Sequence, residues 1–303
     1  MALIRDALWG SLIICEFPSF EYIMTFGKKN KRPGVVPLRE KGVVSLRVKA
    51  VAGIISADQL EALAKTARKF GRGDVCTTAR LNIEVPGIPR ADVPEATAAL
   101  SEAGLVLGST GSSVRSVVAC KGTVCRHGCY DTFAMARLLE EQQGGRPLPR
   151  KLKIAIAGCP NNCSRVQFND IGFMGHRYPR FDEDECSRCG ACQLVCKEDA
   201  IAVDDEGIIF VSDRCIGCGD CIAVCPVDAI SIAEEGLTLF LGGRAGRAIR
   251  LGTEVPGSVL ANDVPALTER IITYFAENAC DGERFGQMMD RMGGDRVFRE
   301  LGL

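Results

Sequence analysis

Gly158-Cys159-Pro160-Asn161-Asn162-Cys163-Ser164 follows directly on the apolar run Ile154-Ala155-Ile156-Ala157, so a strand delivers two thiols, four positions apart, into a turn. Thiols at that spacing suit a metal cluster better than a hydrophobic core. A Cys-x3-Cys pair supplies two thiolates and a 4Fe-4S cube takes four, so a second pair must come from elsewhere in the chain. Cys120 and Cys125, in Ala119-Cys-Lys-Gly-Thr-Val-Cys-Arg126, are the candidates, with Cys129 one helical turn beyond Cys125 as an alternative to it. Upstream of the turn, strand periodicity places Lys151 and Lys153 on one face and Ile154 and Ile156 on the other. Two ammonium groups so placed repel each other unless an anion or solvent lies between them.

Downstream, Cys186-x2-Cys189-x2-Cys192-x3-Cys196 and Cys215-x2-Cys218-x2-Cys221-x3-Cys225-Pro226 form an internal repeat, each run followed by Asp-Ala-Ile. The pattern resembles a bacterial ferredoxin with two 4Fe-4S clusters, in which the fourth cysteine of each run ligates the other cluster. The implied sets are Cys186, Cys189, Cys192, Cys225 and Cys215, Cys218, Cys221, Cys196. Lys197 stands where the first run usually has proline, which leaves the ligand count intact. With Cys120, Cys125, Cys159 and Cys163 the thiolates reach the number three cubes require. Cys15, Cys76 and Cys280 are isolated and read as apolar filler. Two histidines, His127 and His176, and no Cys-x-x-Cys-His argue against a histidine-ligated or c-type haem, so both read as ordinary residues.

The 303 residues, 47% apolar and 25% charged with a net charge of -1, describe a soluble globular protein of two or three domains with no basic excess for nucleic acid. Sixteen cysteines, thirteen of them clustered between positions 120 and 225, have metal-ligand rather than disulfide spacing and imply a reducing, cytoplasmic setting. Trp9 to Phe26 is apolar but interrupted by Glu16, Pro18 and Glu21, which speaks for a packed or partner-facing segment and no membrane span. Met24 opens a more polar run, so the first 23 residues also read as an upstream start. No Gly-x-Gly-x-x-Gly follows a strand, so electrons must come from an external flavin-containing or ferredoxin-type donor.

Along the chain, Val43 to Ala50 alternates as a half-buried strand, and Ser56-Ala-Asp-Gln59 opens a capped helix that stops at Gly71. A strand over Val75 to Val85, a turn at Pro86 to Pro89 and a helix from Asp92 to Gly104 complete a β-α-β-α unit. Ser113 to Ala119 and Lys151 to Ala157 read as strands, Asp131 to Gln143 as a helix. Leu237 to Leu241 extends the sheet holding Asn169 to Met174, and helices from Val264 to Asn278 and Asp281 to Met292 close an α+β chain.

GCPNNCS, preceded by LPRKLKIAIA and followed by NDIGFMG, resembles the second cluster motif of the siroheme-dependent sulfite and nitrite reductases. The resemblance covers residues 35 to 303, and the embedded ferredoxin makes it closest to the catalytic subunits of anaerobic sulfite reductases. It implies an N-terminal extension over 1–34, a ferredoxin-like half over 35–108, a siroheme and 4Fe-4S domain over 109–180 and 236–303, and an inserted two-cluster ferredoxin domain over 181–235. Siroheme and three 4Fe-4S clusters are the implied cofactors, with Cys163 bridging cluster and siroheme iron. Asn161, Gly243 and Arg244 are its further cofactor-binding positions, the last two in a turn, Gly242 to Gly246, able to approach a large ligand. Arg80, Arg115, Lys151 and Lys153 match the family's two arginines and two lysines, the catalytic pocket for a small oxyanion. Leu81 stands where glutamine is common. The implied reaction is six-electron reduction of sulfite to sulfide, with nitrite reduction to ammonia, or an electron relay without siroheme, as alternatives. Larger members carry both halves twice, whereas residues 35 to 108 occur once here. A twofold homodimer would restore the second copy, with the cations of one chain facing siroheme held at Cys163 of the other.

Overall fold

The computed structural model describes residues 33–303. Trp9 to Phe26, Cys15 and the role of the first 23 residues lie outside the described residues.

The N-terminal sheet joins β1 (Val35–Pro37), β2 (Val43–Val48), β3 (Cys76–Thr77) and β4 (Ile83–Pro89) in the order β1-β2-β4-β3, all antiparallel. Alternation in β2 turns Val44, Leu46 and Val48 inward, where α1 (Ala57–Phe70) and α2 (Val93–Glu102) bury Leu63, Ala67, Ala96 and Leu100 against them. α1 starts where the capping box places it: Gln59 N donates to Ser56 Oγ at 3.2 Å and Ser56 N to Gln59 Oε1 at 3.1 Å. The single strand expected over Val75 to Val85 is instead a hairpin, broken by a turn at Thr78 to Leu81 in which Leu81 takes a left-handed φ of 61°. The turn expected at Pro86 to Pro89 is strand: a register shift opposite Val44 to Leu46 absorbs Pro86, and Pro89 pairs with Val43 at the end of the strand. Cys76 is exposed, which removes it from the apolar filler.

The second sheet runs β11-β10-β7-β6-β5, formed by β5 (Val118–Ala119), β6 (Ile154–Ala157), β7 (Ile171–Phe181), β10 (Ile230–Leu241) and β11 (Thr253–Glu254). β5, β6 and β7 are parallel, and β10 returns antiparallel to β7. Ile154, Ile156, Ile171 and Phe173 face a core shared with α3 (Thr132–Gln143), α6 (Val264–Asn278), α7 (Phe285–Met292) and α8 (Gly294–Leu301). The opposite face carries Val118, Ala155, Ala157 and Phe240, packed by Val166. Two strands are shorter than their patterns suggested: Ser113, Val114 and Leu152 form only isolated bridges. The last expected helix begins at Phe285 rather than Asp281, and α8 follows it.

β7 and β10 pair from Ile171↔Leu241 to Phe181↔Ile230, so the segment 182–229 leaves and re-enters at the far end of one long ribbon. It holds α4 (Ala191–Val195), the hairpin β8 (Ile201–Val203) and β9 (Ile208–Phe210), and α5 (Asp220–Val224). Its buried core is Cys192, Ile201, Cys221 and Ile230. A core that small needs a covalent or metal staple to hold one structure. No helix among the described residues is long and apolar enough to cross a membrane.

Candidate functional site

The turn after β6 is built by short-range polar contacts. Asn162 and Arg165 are left-handed, with φ of 49° and 52°, a conformation asparagine tolerates through its own side-chain bonding. Asn162 N donates to Cys159 O at 3.0 Å, Val166 N donates to Asn162 Oδ1 at 2.9 Å, and Ser164 Oγ donates to Ile156 O at 2.6 Å. This leaves Cys159 buried and Cys163 exposed. Burial raises the Cys159 thiol, and the Asn161 backbone and side chain bond to it and oppose that rise. Asn162, which cysteine spacing alone does not single out, therefore shapes the turn, while Asn161 supports a thiol.

The other cysteine pair is brought in by backbone contact. Gly158 N donates to Cys120 Sγ at 3.1 Å, and Cys129 N donates to Gly158 O at 2.8 Å. A Cβ on Gly158 would lie 2.9 Å from the Gly122 Cα, and one on Gly128 would collide with the Gly122 carbonyl, so three glycines allow the loops to meet. Cys120 and Cys125 both sit near enough to push the Cys159 thiol up electrostatically. Cys129 is buried beside the same turn: its thiol donates to His127 O at 3.9 Å, and burial pushes it up to about 12, with Cys159 and Cys218 as neighbours.

In the segment 182–229 the two cysteine runs interleave. A solvent-open cavity of ≈ 620 Å³ is lined by Cys196, Cys215, Cys218 and Cys221, and another of ≈ 310 Å³ by Cys186, Cys189, Cys192 and Cys225. Each takes three thiols from one run and the fourth from the other. Four thiols around each cavity are the number a 4Fe-4S cube takes. Asn161 lines the larger cavity, which places it beside the turn after β6. The segment is held there by His127 Nδ1 to Asp220 Oδ1 at 2.8 Å, and by Arg177, which bonds Gly217 O through its backbone and Cys129 O through its guanidinium. His127 thus docks one cysteine-bearing loop on another, and His176 is buried between Thr238 and Ser258 hydroxyls at 3.1 Å each.

Arg80, Arg115, Lys151 and Lys153 gather at the N-terminal ends of β5, β6 and β7. Arg80 donates to Asn169 Oδ1 at 2.9 Å, Ser116 O at 2.7 Å and Ile154 O at 3.1 Å, tying the N-terminal sheet's hairpin turn to all three parallel strands. Burial pulls its guanidinium down to about 10. Arg115 donates to Ser109 O at 2.9 Å and Gly111 O at 2.7 Å. Lys151 and Lys153 are half-buried, and their ammonium groups have no carboxylate within salt-bridge distance among the described residues. Burial and then neighbouring cations lower both lysines: Arg284 and Arg115 for Lys151, Arg80 and Arg284 for Lys153. Sequence reasoning missed two members of this group, Asp170 and Arg284. Asp170 is fully buried and accepts from Lys153 N at 2.9 Å and from Arg284 Nη2 at 2.9 and 2.8 Å.

The fold itself requires glycine at Gly243: a Cβ there would collide with the carbonyls of Gln167 and Asn169. Arg244 pairs backbone to backbone with Arg250, and its buried Nε has no partner. An orphaned guanidinium donor fits an acidic group such as a macrocycle carboxylate, and an exposed thiol such as Cys163 is free to take a ligand.

Thiols delivered at the ends of parallel strands, with two further cysteine-lined cavities on the β7–β10 ribbon, define an iron-sulfur protein. Residues 110–303 match the nitrite and sulphite reductase 4Fe-4S domain and residues 36–103 the nitrite/sulfite reductase ferredoxin-like half domain, and the chain belongs to this family. It is 35% identical to a coenzyme F420-dependent sulfite reductase of Methanocaldococcus jannaschii, over 94% of this chain and 45% of that one. It is 31% identical to one of the polypeptides of the anaerobic sulfite reductase of Salmonella typhimurium, over 53% of this chain and 52% of that one. The chain thus spans about half the length of these two relatives. The crystal structure of dissimilatory sulfite reductase I superposes with a TM-score of 0.72 at 21% identity, covering 90% of this chain and 76% of that one, and shares its fold.

Proposed function

We propose that this chain is a siroheme-dependent reductase converting sulfite to sulfide. The observation that carries the reading is the group Arg80, Arg115, Lys151 and Lys153 at one end of the strands whose other end presents Cys120 and Cys159. An electron relay has no use for such a group, whereas a doubly charged oxyanion needs it. When bound, siroheme and its clusters would pass on, one at a time, the six electrons that the external donor supplies. Cys163, the exposed member of its set, would hold siroheme beside the cluster of Cys120, Cys125 and Cys159. The two cysteine-lined cavities would hold the other cubes, the larger next to the turn. Arg115 offers planar paired donors to the anion, Lys151 and Lys153 compact charge and protons, and the lowering of both lysines eases proton donation. The names of the methanogen and Salmonella relatives favour sulfite over nitrite.

Purified anaerobically and reconstituted, the protein is expected to carry about twelve non-haem irons and a reduced-porphyrin pigment extractable into acid-acetone. About eight irons and no pigment would leave a ferredoxin-like relay. The electron donor is proposed to be external and to present a basic face. Residues 182–229 carry twelve acidic against three basic residues, a balance of -9 where the whole chain has -1.

We further propose a site shared across a twofold homodimer. β6 alone separates Lys153 from Gly158 by about 16 Å at roughly 3.3 Å per residue, which sets the cations and the Cys159 thiol at opposite ends of the sheet. Co-expressing a Lys151/Lys153 double variant with Cys163→Ser, each inactive alone, is expected to restore one working centre in the mixed dimer. Recovery of none, or a monomer in solution, disposes of the shared site.

A further inference from the structure

Arg284 lies far in sequence from every cysteine motif, on the residue before α7, yet the fold carries it to the N-terminal ends of β6 and β7. One nitrogen, Nη2, serves both oxygens of Asp170. A guanidinium that only neutralised a buried carboxylate would present two nitrogens to its two oxygens. Here Nε is buried with no partner, and the Nε atoms of Arg80 and Arg115 are orphaned likewise. Five N–H donors on a planar group, with one nitrogen engaged, leave an edge available to a second anion. Asp170 meanwhile fixes the register of the pocket, since the same carboxylate that holds Arg284 accepts the Lys153 backbone N–H at 2.9 Å.

The charge balance points the same way. Arg80, Lys151, Lys153 and Arg284 all couple to the one buried carboxylate of Asp170, and Arg115 couples to Arg80, Lys151 and Arg284. The other nearby acid, Glu140, is engaged by Lys49 at 2.8 Å and by Val117 N at 2.8 Å. Five cations against one buried anion repel one another strongly in a half-buried setting unless another anion joins them.

We propose that Arg284 is a further binding residue for the oxyanion, with Asp170 as the positioning residue that fixes Arg284 and the Lys153 backbone together. The assignment rests on the oxyanion-reductase reading. It is tested on the holoenzyme by titrating sulfite, following the siroheme absorbance shift and, independently, binding of radiolabelled sulfite by equilibrium dialysis. Arg284→Gln is expected to keep pigment and iron at the wild-type level while the sulfite Kd rises about 10- to 100-fold, kcat changing less. Arg284→Lys, which keeps the charge and loses the planar fork, should fall between, about fivefold weaker than wild type. A merely structural role predicts the opposite split: lower iron content and Tm, with unchanged Kd in the loaded fraction. That result overturns the assignment, as does an unchanged Kd in Arg284→Lys should the glutamine variant fail to fold. A pigmented wild type that takes up no sulfite overturns the oxyanion reading itself, whereas equal binding by wild type and Arg284→Gln overturns only the role of Arg284.

Discussion

Cys163→Ser is expected to reduce sulfite turnover to about 1% of wild type or less while the ferredoxin-type cluster signals persist. The side chain is exposed, and no contact of the hydrophobic core depends on it, so the substitution should change stability by less than about 0.5 kcal/mol. What changes is the ligand. A serine hydroxyl is not a thiolate at neutral pH, so the set formed with Cys120, Cys125 and Cys159 loses the member proposed to reach siroheme. The two cavities in segment 182–229 take none of their thiols from this turn and should load as before. Electron paramagnetic resonance of the dithionite-reduced variant, an acid-acetone extract and viologen-driven turnover measure the three parts separately. Full sulfite turnover in this variant would show that the bridging assignment is wrong.

Lys153→Glu is expected to cost at least about 100-fold in turnover with clusters and pigment retained, and its effect on stability should have the opposite sign from most charge reversals. Lys153 stands among Arg80, Arg284 and Lys151, which disfavour its charge and together outweigh Asp170, which favours it. A carboxylate in its place removes that repulsion and gains attraction to the same neighbours. The variant's own side chain then occupies the pocket as a tethered anion. Thermal unfolding should show an unchanged or raised Tm beside lost sulfite binding, the trade-off expected where a site stores unfavourable charge for function. Normal sulfite binding by the variant would return Lys153 to a solvated strand edge.

Much of the architecture was legible because it is local. The Ser56 capping box, the α6 boundaries at Val264 and Asn278, and the continuation of the Asn169 strand by Leu237 to Leu241 depend on periodicity and short-range bonds that the residues carry with them. The interleaving of the two cysteine runs was legible for the same reason: fixed spacing leaves each fourth thiol lining the cavity of the other run. Errors came where tertiary contacts overrode local preference. Leu81 is held left-handed and breaks a strand, because Arg80 beside it reaches across to Asn169 and two strand carbonyls. Gly243 reads in the sequence as room for a ligand, and the fold adds a second need for glycine there, the carbonyls of Gln167 and Asn169.

By itself the sequence determined the thiol count, the likeness of the turn after β6 to a cluster motif and the four cations that go with it, since ligand chemistry depends on residue type and spacing. Only the tertiary structure decided that Cys120, Cys125 and Cys129 all come within electrostatic reach of Cys159, and that His127 and Arg177 clamp the ferredoxin-type segment in place. It alone brought Arg284 and Asp170 into the cation group. These residues are 114 positions apart, a separation over which no periodicity carries information, and their pairing follows from burial. A carboxylate with no exposed surface needs a cation close by, and the packing of α7 against the sheet supplies one.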